Sequence, residues 1–281
     1  MSPISCDRSR DLALRARRNV LRMLEATPAG HVGGAMSCID ALAVLYASVL
    51  TIDSSRPGDP RRDRFLLSAG HKAMAQYAIL AECGFFDKSL LDTYGEEDTA
   101  LGGHPDMHKL PGIEGNTGAL GHGLALGVGM GMGLRRQNCD ARVFVVLGDG
   151  ELAEGSNWEA AAIAAHYRLG SLTALVDVNG MQISGPTAAV MSMESIPEKF
   201  AAFGWRVVEV DGHDHEALHE VLTLPLSEPR PTAILMRTVK GAGIPTIASR
   251  VESHYWKPTA EELDDAIRSL GLDDRTGHDS R

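Results

Sequence analysis

The chain has 281 residues, 44% of them hydrophobic, which is enough for a full apolar core in one large domain or two small ones. With 27 Lys+Arg against 37 Asp+Glu the formal net charge is −10, which excludes an overall positive field that would gather nucleic acid or an anionic membrane surface. The four cysteines, Cys6, Cys38, Cys83 and Cys139, lack the close spacing of zinc or redox sites; with a charged N-terminus that has no signal-peptide core and no uninterrupted apolar run of membrane-spanning length, they set the expectation of a cytoplasmic protein.

In chain order, residues 7 to 26 and 38 to 50 carry apolar residues at helical spacing and are joined by the turn-rich ATPAGHVGGAM. A polar stretch leads into RFLLS (64 to 68), a short strand ended by Ala-Gly-His and followed by the helical KAMAQYAILAECG. GALGHGLALGVGMGMG is helix-like, and because no G-x-G-x-x-G follows directly on a strand, it argues for close packing rather than a dinucleotide site. Further strands are expected at 143 to 150, 172 to 180, 205 to 214 and 232 to 241, with helices after the first and third of these. Their apolar residues occupy both faces, as in a mostly parallel sheet with helices on both faces, an α/β fold. No linker divides the chain, so one domain over residues 1 to 272 is expected, with 273 to 281 a flexible tail.

Every proposed strand ends in Gly, Asp, Asn or His, at the edge where open parallel sheets bind ligands. The most informative segment is residues 148 to 185. Gly148 and Gly150 allow a sharp turn around Asp149, and Asn179 closes the next strand one βαβ unit later, so the two side chains should meet at neighbouring strand tips. A hard cation such as Mg²⁺ takes oxygen ligands from protein, phosphate and water; Asp149, the Asn179 amide oxygen and a carbonyl near Met181 would offer three, at a combined charge that leaves the ion able to hold a diphosphate. Taken alone, GDG also fits a plain strand-to-helix turn with Asp149 as a cap. Four histidines, His31, His71, His104 and His254, stand in loops beside turn residues, where imidazole suits proton transfer and oxyanion binding. His166, His213, His215 and His219 lie on or beside helices and read as structural or exposed.

In this order the motifs GHVGG (30 to 34), SAGHKAMAQYA (68 to 78), GGHPD (102 to 106), TGALGHGLALGVGMGMG (117 to 133), GDGELAEGSNWEA (148 to 160), DVNGMQISG (177 to 185) and TVKGAG (238 to 243) resemble the transketolase family, and specifically its thiamine-diphosphate-binding N-terminal part, over about residues 10 to 265. The resemblance implies a thiamine-diphosphate-binding fold and metal ligands at Asp149, Asn179 and the Met181 carbonyl for Mg²⁺ or another divalent ion such as Ca²⁺. It implies cofactor contacts at His71, Gly118, Leu120, Gly150, Glu151, Glu154 and Asn179, and His31, His104 and His254 as catalytic residues lining the substrate channel; Glu154 and Glu159 match acidic positions at a subunit interface. The implied reaction moves a two-carbon ketol unit from a ketose, phosphorylated or not, to an aldose. Departures stand at Val32, His122 and Val178, where the family generally has Pro, Gln and Asn, and these bear on substrate preference more than on chemistry. The family's activating Glu and pyrimidine-binding domain would lie beyond the last residue, so the expectation is a split enzyme with a C-terminal partner subunit in a dimer of heterodimers, without nucleic acid or membrane. Two alternatives accompany it: an enzyme for an unusual sugar in a specialised pathway, and a non-catalytic regulatory subunit.

Overall fold

The computed structural model describes residues 3–224 and 229–271; the tail expected at 273 to 281 lies outside the described residues. The elements are α1 (Pro3–Ala26), α2 (Val32–Val44, continued by a wide turn over Leu45–Val49), β1 (Arg64–Leu67), α3 (Ala73–Glu82), α4 (Gly123–Arg136), β2 (Val143–Gly148), α5 (Gly155–His166), β3 (Leu172–Val178), α6 (Thr187–Val190), α7 (Ile196–Ala202), β4 (Arg206–Asp211), α8 (His215–Thr223), β5 (Thr232–Arg237) and α9 (Ala260–Ser269). The strands form one fully parallel sheet in the order β1-β2-β3-β5-β4.

Two-residue periodicity explains why the strands read as continuous apolar runs. Along β2, Phe144 and Val146 enter one core with α1, α2, α3 and α8, while Val143, Val145 and Leu147 enter a second core with α4 and α5. β3 and β5 divide in the same way, with Leu175, Ile234 and Met236 on the first side and Ala174, Val176 and Leu235 on the second. Helices therefore cover both faces, and polar chemistry is confined to the strand ends.

α2 begins six residues earlier than its apolar spacing suggests, inside the stretch expected to be loop. Its Gly33 and Gly34 serve close approach rather than turning: a Cβ at Gly33 would sit 2.4 Å from Ser253 Oγ, and one at Gly34 would sit 3.1 Å from Lys72 Cγ. All residues of α2 are buried. Val32–Val49 is, among the described residues, the one segment long and apolar enough to cross a membrane, and 89% of it is buried inside the protein, as for a central core helix.

Candidate active site

The tips of β2 and β3 are adjacent because Gly148 pairs with Asp177 and the Asp149 N–H continues the ladder to the Asp177 carbonyl at 3.1 Å. Asp149 then turns back on its own loop. Its carboxylate accepts the Gly150 N–H at 2.8 Å and, across the gap between strands, the Gly180 N–H at 2.6 Å; Gly180 supplies the latter from a positive φ of 76°. Asn179 is fixed at both ends of its amide, with Oδ1 accepting from Met181 N at 3.1 Å and Nδ2 donating to Asp177 at 3.2 Å. Asp149 is 4% exposed, and among the described residues no cationic side chain hydrogen-bonds it. Burial, helped by the charge of Asp177, pushes its carboxyl up to about 6.

Beneath this pair lies a second carboxylate that is fully compensated. Asp177 accepts hydrogen bonds from Ser37 Oγ at 2.5 Å, from Thr238 Oγ1 and from the buried ammonium of Lys72. Burial opposes its ionisation, yet Lys72 and these hydroxyls hold Asp177 below the usual carboxylate range. Burial likewise opposes charge on Lys72, and Asp177 outweighs it, so the lysine is raised. Glu151, 2% exposed, stitches three segments together: its carboxylate accepts Ser68 Oγ after β1, Gly121 N at 2.9 Å before α4 and Gly148 N at 3.1 Å at the end of β2.

Above the strand tips opens a cavity of about 280 Å³ whose lining brings together Asp149, Gly150, Glu151, Asn179 and Met181 with Gly118, Leu120 and the four loop histidines. The His31 ring centroid lies 5.6 Å from His71, 6.3 Å from His104 and 5.3 Å from His254, and Tyr255 edges onto it at 4.9 Å. Chain segments far apart in sequence are clamped to make this cluster. Gly30 and Trp256 exchange backbone hydrogen bonds of 3.1 and 2.9 Å, which carries the turn bearing His254 to the start of α2, and the Gly241 N–H holds the TVKGAG loop to Gly33 O at 2.9 Å. Burial first, then neighbouring positive groups, lowers His71 to about 2 and His254 to about 4, and lowers His31 as well. Lys240, 3% exposed and lowered to about 8 by burial and Lys72, approaches His254 Nδ1 at 3.2 Å; an ammonium only donates, so Nδ1 accepts and His254 carries its proton on Nε2.

Of the residues expected from sequence, Glu154 stands outside the cavity, exposed at the start of α5 beside Gly121; Glu159 is also exposed. Lys72, Asp177, Lys240 and Gln182 fall inside the family-like motifs without a role assigned to them there, although Lys72, Lys240 and Gln182 line the cavity. A charged residue inside the apolar run LTALVDV was the available signal for Asp177, since a buried charge must be paired. His213 and His215 bond Asp40 at 2.7 and 3.1 Å and His219 bonds Ser48 at 3.1 Å, all away from the cavity. Among the described residues no group of three or more His, Cys, Asp or Glu side chains is arranged to hold a metal ion, so a metal here would draw on amide and carbonyl oxygens beside Asp149.

Residues 10–278 match the family described as transketolase, thiamine diphosphate binding domain, and the chain belongs to that family. The solved transketolase of Campylobacter jejuni superposes with a TM-score of 0.88 at 26% identity, covering 97% of this chain and 44% of that one, so the chain spans less than half the length of that enzyme. Two relatives match along nearly their whole length. One, from Phocaeicola vulgatus, is named as a subunit of apulose-4-phosphate transketolase and is 39% identical over 263 residues (92% of this chain, 93% of the relative). The other, SqwG of a Clostridium species, is named as a subunit of 6-deoxy-6-sulfo-D-fructose transketolase and is 38% identical over 263 residues (92% and 96%).

Proposed function

We propose that this chain is the thiamine-diphosphate-binding subunit of a two-chain transketolase, transferring a ketol unit between sugars that carry a terminal anion. The observation that carries the reading is a buried carboxylate, Asp149, that among the described residues has no cationic side chain hydrogen-bonded to it and shares one cavity with Asn179 and four loop histidines. That donor set fits a hard divalent ion: one carboxylate, an amide oxygen and the Met181 carbonyl nearby leave net positive charge on the ion for a diphosphate. Asp149, Asn179 and Met181 would hold the ion, and His71, Gly118, Leu120, Gly150 and Glu151 line the space a cofactor would take. When bound, the cofactor supplies a nucleophilic carbon able to add to a ketose carbonyl and cleave the adjacent bond.

The chain's own residues bind and orient around that chemistry. With pKa values held low, His31 and His254 stay neutral near pH 7 and can face sugar hydroxyls without a fixed charge, His31 with one N–H donor and one acceptor. His254 has its acceptor turned to Lys240 and its Nε2–H free to donate to a substrate oxygen. His104, exposed at the cavity rim, is the third such group. The terminal anion is inferred from the phosphate and sulfonate in the names of the two relatives, and the need for a second chain from their designation as subunits. A cytoplasmic setting belongs to the same proposal, as does assembly with a pyrimidine-binding partner as a dimer of heterodimers.

The test titrates thiamine diphosphate into the purified chain with and without Mg²⁺. Metal-dependent binding that disappears in Asp149→Ala, together with ketol transfer that begins only when a partner chain is added, is the expected result. Binding indifferent to that substitution, or full transferase activity of the single chain, contradicts the reading.

A further inference from the structure

Lys72 is 2% exposed, yet it lines the cavity at its strand-tip end. Its side chain runs under the start of α2, where a Cβ at position 34 would press on it at 3.1 Å from Cγ. Its ammonium reaches Asp177 and comes within 3.7 Å of where a Cβ on Gly148 would stand, next to Asp149. Among the described residues its one hydrogen bond goes to Asp177, while an ammonium has three protons. Asp177 is also held by Ser37, Thr238 and Asn179, so the lysine is not needed to fill every acceptor site on that carboxylate. A buried cation with spare donors at the strand-tip end of the cavity, beside a carboxylate with no hydrogen-bonded cation among the described residues, does two opposite things. It repels any second cation drawn to Asp149 and attracts any phosphate drawn to that cation.

We infer that Lys72 is a resident cation of the cavity that weakens divalent-ion binding on its own and strengthens binding of the diphosphate, so that ion and diphosphate enter together rather than singly. Lys72 is thus assigned as an anion-binding residue, with Asp177 as the positioning residue that keeps it charged. The inference rests on the proposed Asp149–Asn179 ion site.

The test uses the full purified chain with Mn²⁺ and inorganic pyrophosphate as probes, read by paramagnetic resonance and calorimetry. Lys72→Met is expected to tighten Mn²⁺ binding by ~10-fold in the absence of pyrophosphate and to weaken pyrophosphate binding in the presence of Mn²⁺ by ~10-fold. The double variant Lys72→Met/Asp177→Asn removes the buried pair as a neutral unit. It should return Mn²⁺ affinity to near the wild-type value while pyrophosphate stays weak. Mn²⁺ affinity unchanged or lowered in a folded Lys72→Met protein overturns the inference. Should that single variant not fold, the double variant decides alone, and wild-type pyrophosphate affinity in it is the overturning result. Loss of Mn²⁺ binding in Asp149→Ala separates the two levels: if Asp149→Ala binds Mn²⁺ as wild type does, the ion site itself is refuted and this inference falls with it.

Discussion

Glu151 is the strongest structural wager in the site, because one carboxylate holds the ends of β1 and β2 and the entry to α4 in register. Replacing it with alanine strands the Gly121 and Gly148 N–H groups in a buried position, whereas Ser68 Oγ retains a contact as acceptor from Gly123 N at 3.1 Å. Two unsatisfied buried donors cost about 1–3 kcal/mol each, and relief of the burial penalty on the carboxylate offsets part of that, leaving about 3 kcal/mol. For a chain of this size that corresponds to a fall in Tm of roughly 6–12 °C. Glu151→Gln keeps the shape but turns one acceptor into a donor facing a donor, and an intermediate loss is expected. Burial, opposed by these hydrogen bonds, raises the Glu151 pKa, so the folded protein binds its proton more tightly than the unfolded chain does. The margin of wild type over Glu151→Gln is therefore fullest in acid and shrinks as pH rises from roughly 4 through the raised value. Thermal unfolding of the three proteins at several pH values measures all of this. A Glu151→Ala protein melting within about 3 °C of wild type, or a margin over Glu151→Gln that grows with pH, would refute the reasoning.

Asp40 makes a contrasting case, since burial opposes its charge but His213, His215 and a bidentate Arg17 at 2.8 and 2.7 Å hold it well below the usual carboxylate range. Asp40→Ala leaves the part-buried Arg17 without its partner and should cost about 2–3 kcal/mol in denaturant titration; wild type's advantage, present above the unfolded pKa of roughly 4, should vanish as pH falls through the depressed folded value. His71 and His254, lowered to about 2 and about 4, should show neutral ¹⁵N chemical shifts at pH 6, and an imidazolium signal from either there would contradict the burial argument. Gly118 has φ of 134° and a Cβ on it would lie 2.7 Å from His104 Cδ2, so Gly118→Ala should displace His104 and lower kcat of the reconstituted enzyme by more than about tenfold while Mn²⁺ binding at Asp149 stays within a few-fold.

The sheet was legible because its strands are buried on both sides and their apolar runs are short: RFLL, VFVVLG and LTALVDV each become a strand within a residue or two of the expected bounds. The start of α2 was not, because glycine in sequence signals a turn, while here Gly33 and Gly34 let Ser253 and Lys72, each remote in the chain, press against a helix. The same limit governs the site. Asp149 and Asn179 were readable as a pair since both sit at strand ends one βαβ unit apart, whereas Lys72 and Asp177 are one contact spanning 105 residues, with no local pattern that pairs them.

What unites these residues is how the carboxylates near the strand tips are treated. Glu151 is spent on Ser68 and two backbone N–H groups, Asp177 is neutralised by Lys72, and Asp149, with two N–H donors and no hydrogen-bonded cationic side chain among the described residues, is the one that stands beside Asn179. A fold that merely tolerated buried acids would have satisfied all three alike, since an uncompensated charge is the costliest thing to bury. That difference sets Asp149 beside Asn179 at the strand-tip end of the cavity, where a ligand can complete it, and it is why substitutions at Asp149 should change binding where substitutions at Glu151 change stability.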